Sequence, residues 1–244
     1  MADREHDRMP YSVEVEFRTA SSFLVAYSVN LSRGGLFLET EHDVPMGSPI
    51  GVDLKIPGAD PISLEGIVAW RRGTDGDGPP GLGIEFQDVA PQLGGVIDHL
   101  VSTFHGVHVL VLSGDRQDRT TLARSIKSII STAEIMQAAD ASVAGALLTD
   151  EVDLAVVDVD FDTEGALATL RAARALSPRV PTVAITASAK LREQARLAGA
   201  DEIATNPPPF AELQVVLVRA LGKPIGIRDS GPNSAPTGSG PTSG

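Results

Sequence analysis

The chain has 244 residues, 42% of them apolar and 21% charged, with a formal net charge of −12 and no cysteine. This composition fits globular domains rather than a disordered chain, and the lack of cysteine excludes a disulfide framework and every thiolate metal site. The acidic excess weighs against sequence-independent binding to a nucleic-acid backbone, and no run approaches the ~20 apolar residues that a membrane-spanning helix needs.

The length suits two domains at ~100 to 200 residues each. The N-terminus MADREHDRMP is charged rather than built like a signal peptide, so a cytoplasmic protein is expected. Within it, Arg4 and Arg8 stand four apart in R-E-H-D-R. Period-2 alternation follows: in YSVEVEF, Tyr11, Val13, Val15 and Phe17 share one face. SFLVAYSV reads as a second strand, and N-L-S-R-G-G, Asn30 to Gly35, as the turn after it. GLFLET, IGVDLKI, ISLEGIVAW and GLGIEF complete six short strands, separated by Gly, Pro and Asp clusters such as TDGDGPPG. An all-β, six-stranded antiparallel barrel is predicted, closed so that no edge is exposed, with a helix over PQLGGVIDHLVSTF behind it. Trp70, at the end of ISLEGIVAW, is expected to pack in that barrel rather than to form an aromatic ligand platform.

From Val107 the rhythm becomes strand and helix in alternation. Apolar strands at VHVLVL, EIMQAA, DLAVVDV, VPTVAIT and DEIAT are each followed by an amphipathic helix, the last being FAELQVVLVRAL. Such a pattern predicts an α/β, doubly wound, five-stranded parallel sheet with both faces covered. The domains are therefore set at residues 2–105 and 107–223, with a Gly/Pro/Ser/Thr tail at 224–244 expected to be a flexible coil.

Charge is uneven between the two halves. Residues 1–106 hold 7 Lys or Arg against 16 Asp or Glu, a net of −9, whereas residues 107–223 hold 12 against 15, a net of −3. An anion bound by the first half must be held by individually placed cations. His99, His105 and His108 show no metal-site spacing, and no metal is expected. The run Asp158, Asp160, Asp162 is followed by Thr163 where a calcium loop needs glycine, so it reads as a local acidic loop.

The combination of R-x-x-x-R at Arg4 and Arg8, N-x-S-x-x-G at Asn30, Ser32 and Gly35, and GLGIEF resembles the PilZ domain family over roughly residues 2–103. These are bacterial modules that bind cyclic di-GMP on a six-stranded β-barrel. The resemblance implies that Arg4 and Arg8 grip the dinucleotide while Asn30, Ser32 and Gly35 form its floor. Elementary chemistry agrees: an arginine fork meets guanine O6 and N7 together, Asn30 offers a donor and an acceptor, and Ser32 adds a hydroxyl. Arg33 reads as an exposed loop cation.

DLAVVD, VAIT and AGADE make the second half resemble response-regulator receiver domains. The resemblance implies a phosphoacceptor role for Asp158, with Thr186 beside it. Ser113 and Gly114 stand where the family carries its metal-binding acidic pair, and Asn206 stands in place of its lysine. A pseudo-receiver that serves as an interaction module is therefore expected.

The expected function is that of a non-enzymatic, cyclic di-GMP-binding effector acting on an unidentified regulatory protein, with homodimerisation through the receiver-like domain as a further expectation. The alternatives are a scaffold that has lost ligand binding and a response regulator phosphorylated at Asp158. No P-loop, nucleophile elbow or Rossmann fingerprint points to an enzyme.

Overall fold

A computed structural model describes residues 11–41, 43–74, 79–86 and 89–229. Its first sheet is formed by β1 (Tyr11–Glu16), β2 (Gly35–Glu39), β3 (Pro49–Lys55), β4 (Ile62–Arg72) and β5 (Gly81–Phe86). A sixth strand, β11 (Gly226–Asp229), joins it from the far end of the chain. Inward-facing Val13, Val15, Leu36, Leu38, Ile50, Val52, Leu54, Leu64, Val68 and Ile84 supply one core, and each strand delivers them at the predicted spacing of two. Helix α2 (Val89–Ser102) closes this core with Val89, Leu93 and Leu100, three residues along one helical face.

SFLVAYSV is not a strand. Residues Ala20–Val29 form helix α1, opened by a capping box in which Thr19 and Ser22 exchange side-chain and backbone hydrogen bonds. The helix is apolar on every side because it lies between two cores. Phe23 and Ala26 are buried in the first, while Val25 packs against the second. The first sheet also departs from the antiparallel barrel: it is a curled, mixed half-barrel in the order β11-β1-β3-β4-β5-β2, with β1 parallel to β3. Moving SFLVAYSV out of the sheet removes the hairpin that would have set β1 antiparallel to its neighbour.

The second domain follows Gly106, whose φ of +104° and closeness to the Thr132 carbonyl admit only glycine without strain. It alternates β6 (Val107–Leu112), α3 (Arg116–Ile129), β7 (Ala133–Ala138), α4 (Ala141–Leu147) and β8 (Leu154–Asp158). Then come α5 (Thr163–Ala175), β9 (Thr182–Ile185), α6 (Ala189–Ala198), β10 (Glu202–Ala204) and α7 (Phe210–Leu221). All pairings are parallel in the order β10-β9-β8-β6-β7, and separate apolar clusters cover the two faces. With β6 as the first strand this is the 2-1-3-4-5 doubly wound order, in which ligand sites lie beyond the carboxyl ends of the strands.

The tail is corrected in its first part. Gly226–Asp229 form β11, antiparallel to β1, with Ile227 opposite Val15 and packed against the first core. The Gly/Ser/Thr/Pro run that suggested a coil begins only after this segment, and residues 230–244 lie outside the described ones.

The domains are locked together around α1. Arg18, 4% exposed, donates from Nε to the Val152 carbonyl at 2.7 Å and from Nη2 to those of Thr149 and Asp150 at 3.1 Å each. Its Nη1 meets the Pro178 carbonyl. Ser21 Oγ donates to the Gly106 carbonyl at 3.1 Å, and Lys223 joins Glu39 of β2 at 2.7 Å.

Candidate functional site

Asn30 ends α1, its N–H donating to the Ala26 carbonyl at 2.9 Å. Its own carbonyl accepts from the N–H groups of Arg33 at 3.0 Å and Gly35 at 3.3 Å, so the motif folds over itself as a 3-10 turn, Leu31–Arg33. Leu31, fully buried, pins that turn into the core and leaves Asn30 and Arg33 exposed. Gly34 has φ +82°, and its carbonyl accepts from the Phe86 N–H at 2.7 Å, fastening the turn to the end of β5. Gly35 then begins β2 opposite Glu85. Sequence reasoning gave the motif to Gly35, but the glycine that the backbone requires here is Gly34.

The structure thus brings Asn30, the Ser32 backbone and Gly35 together at one end of the interdomain helix. Arg4 and Arg8 lie outside the described residues. Trp70 does not pack inside the half-barrel; it is 45% exposed on the outer face, stacked on Phe37. Alternation along Leu64, Gly66 and Val68 turns these inward, and a register shift between Val68 and Trp70 reverses the side on which the indole emerges. No composition signal announces that bulge.

The second site lies where topology places it, at the carboxyl ends of β8, β9 and β10. Asp158 is buried and accepts from Ser113 Oγ at 2.9 Å, the Asp160 N–H at 3.0 Å and Asn206 Nδ2 at 3.3 Å. Burial pushes its carboxyl above the ordinary range, against the lowering effect of the Asp160 N–H and Ser113. Thr186 Oγ1 and the Ala187 N–H, at 2.9 Å, both donate to the carboxylate of Asp160, and Asn206 Nδ2 adds a bond at 3.0 Å. Burial raises the Asp160 carboxyl, yet these three donors outweigh it and hold the group below the ordinary range.

Sequence reasoning placed Asp158, Thr186, Ser113 and Asn206 at one site, and they converge there. It treated Asp160 only as part of an acidic loop, whereas this carboxylate collects the donors of Thr186, Ala187 and Asn206. Among the described residues, no group of three or more His, Asp or Glu is arranged to hold a metal ion, and no helix is long and apolar enough to cross a membrane.

Residues 2–103 match the family model for the PilZ domain. No curated protein matches the chain. Among solved structures it is similar to the receiver domain of a sensor histidine kinase from Pseudomonas aeruginosa, which carries magnesium in its active-site cleft. The identity is 24%, over 48% of this chain and 99% of that one, with a TM-score of 0.44. The chemotaxis response regulator CheY4 of Vibrio cholerae is 18% identical over 47% of this chain and 98% of its own, with a TM-score of 0.42. The signal receiver domain of a DNA-binding response regulator from Colwellia psychrerythraea is 17% identical over 46% and 94%, also at 0.42.

Proposed function

From a PilZ domain at residues 2–103 docked on a receiver-like domain, we infer that the protein is a non-enzymatic effector that binds cyclic di-GMP and passes the event to a protein partner. In this reading Arg4 and Arg8 fold over the dinucleotide while Asn30, Ser32 and Gly35 support it. The observation that carries the reading is the position of the N-x-S-x-x-G turn at the end of α1, the helix that both cores grip. A ligand there bears on the same rigid element that Arg18 and Thr19 anchor in the second domain, and its effect is bounded by how differently it binds the two domain arrangements. The site chemistry suits a guanine dinucleotide: an exposed amide, and a turn whose glycines let a ligand approach the backbone.

The receiver-like domain serves here as an interaction module, for a partner or a second copy, rather than as a phosphorylated switch. Its support is the occupied state of the site, since the donors of Thr186, Ala187 and Asn206 already hold Asp160.

Calorimetric titration of cyclic di-GMP into the full chain tests the reading. Heat in the wild type, with affinity at least about tenfold weaker in Arg8→Ala, is expected, because one charge-assisted bidentate contact contributes about that much. Absence of heat at low salt overturns it. Incubation with a small phosphodonor and magnesium, followed by intact mass, is expected to give no adduct.

A further inference from the structure

We propose that the carboxylate of Asp160 is a built-in anion that fills an oxyanion cradle formed by Thr186, Ala187 and Asn206, and thereby clasps the starts of α6 and α7 in one fixed arrangement. The inference stands whether or not the first domain binds cyclic di-GMP. Both oxygens of the carboxylate are taken: one accepts from the Thr186 hydroxyl, the other from the Ala187 N–H at 2.9 Å and from Asn206 Nδ2 at 3.0 Å. A hydroxyl, a peptide N–H and a side-chain amide, brought from two different connections, are a donor set that recognises an oxyanion such as formate or phosphate. Here the chain supplies that anion itself.

Asp160 lies at the surface, where water ordinarily solvates a carboxylate, and its charge opposes that of Asp158 two residues before it. The three donors offset that repulsion, and Asn206 Nδ2 bridges both acids by reaching Asp158 at 3.3 Å as well. An independent feature holds the same loop from its other side. Phe161 is 68% exposed, yet its ring lies so close over Gly114 that a Cβ there would overlap it. The loop is thus pinned to the end of β6 by a ring and to the ends of β9 and β10 by a carboxylate. Both grips reach helices. The Thr186 Oγ1 that donates to Asp160 accepts the Ser188 N–H at 3.0 Å, and Ser188 Oγ caps α6 by accepting the Leu191 N–H at 3.3 Å. Beside Asn206, the N–H and hydroxyl of Thr205 donate to Glu212 in the first turn of α7 at 2.9 and 2.5 Å. Without the carboxylate these two helix starts lose the acceptor they share.

Amide hydrogen exchange on the full chain, read at Ala187 by NMR, tests the clasp. In Asp160→Ala this amide is expected to exchange at least about tenfold faster than in the wild type, the worth of one charge-assisted hydrogen bond. Added formate or inorganic phosphate is expected to restore its protection by refilling the cradle, whereas chloride at the same ionic strength is not. Thr186→Val, which keeps Asp160 but removes one donor, is expected to speed the same amide with no rescue by formate. Unchanged exchange in Asp160→Ala, or faster exchange that neither formate nor phosphate slows, overturns the clasp. Should Asp160→Ala fail to fold, Thr186→Val decides, and exchange at the wild-type rate in that variant overturns it.

Discussion

Thr19 donates its hydroxyl to the Asp153 carboxylate at 2.6 Å, joining the N-cap of α1 to the residue that enters β8. The other oxygen of Asp153 accepts the His108 N–H of β6 at 2.8 Å. One side chain of the helix start therefore reaches, through one carboxylate, the two central strands of the second sheet. Burial raises the Asp153 carboxyl, against the opposing effect of Thr19 and His108.

Arg18→Ala is expected to cost about 3 kcal/mol of stability, because four carbonyls of the second domain lose their donor inside a closed interface. Arg18→Lys should fall between, since an ammonium keeps the charge but cannot span the same set. Urea midpoints measure the loss, and hydrogen exchange should rise first across residues 148–153.

Asp158→Asn should change how stability depends on pH. The Asp158 carboxyl titrates above its ordinary value of about 3.9, so the folded state holds its proton more tightly than the unfolded chain does. Wild-type stability from this group is therefore fully present below that value and falls as pH rises through the elevated one. The Asn variant lacks that fall. Its stability relative to wild type should grow as pH rises above about 4, read from paired urea midpoints.

Gly83→Ala is expected to destabilise the first domain by roughly 1–3 kcal/mol and to shift Trp70 emission, because the new methyl overlaps the indole. In a Trp70→Ala background the same change should cost much less. A double-mutant cycle on thermal midpoints measures the difference.

Truncation after Lys223 should lower stability by roughly 2 kcal/mol, the value of losing Ile227 from the first core together with its ladder. The exposed edge of β1 should also promote concentration-dependent association, visible by light scattering. Truncation after Ser230 keeps β11 and should leave the midpoint near that of the full chain.

The second domain was legible because its central strands β6, β8 and β9 are short, largely apolar runs and its helices present one apolar face. The span of α7 matches the predicted FAELQVVLVRAL at both ends. SFLVAYSV was not legible for the opposite reason: with no polar face its periodicity carries no information, and only the presence of two cores makes helix the better answer. Thr19 and Ser22 were the one local signal of a helix start. GIRD is too short to announce a strand without its partner β1, 216 residues away at Val13 and Asp229. At the candidate site, residue types fixed Asn30 and Gly35 as neighbours, but the outward turn of Trp70 depends on a bulge that alternation alone places on the wrong side.

The pairing of β1 with β11 sets an order of events at the ribosome. The segment that flanks β1 is translated only after every strand and helix of the second unit. Until then one edge of β1 carries a row of unbonded amides and carbonyls, open to pairing with another chain. Completion of that sheet thus waits on the folding unit that interrupts it in sequence.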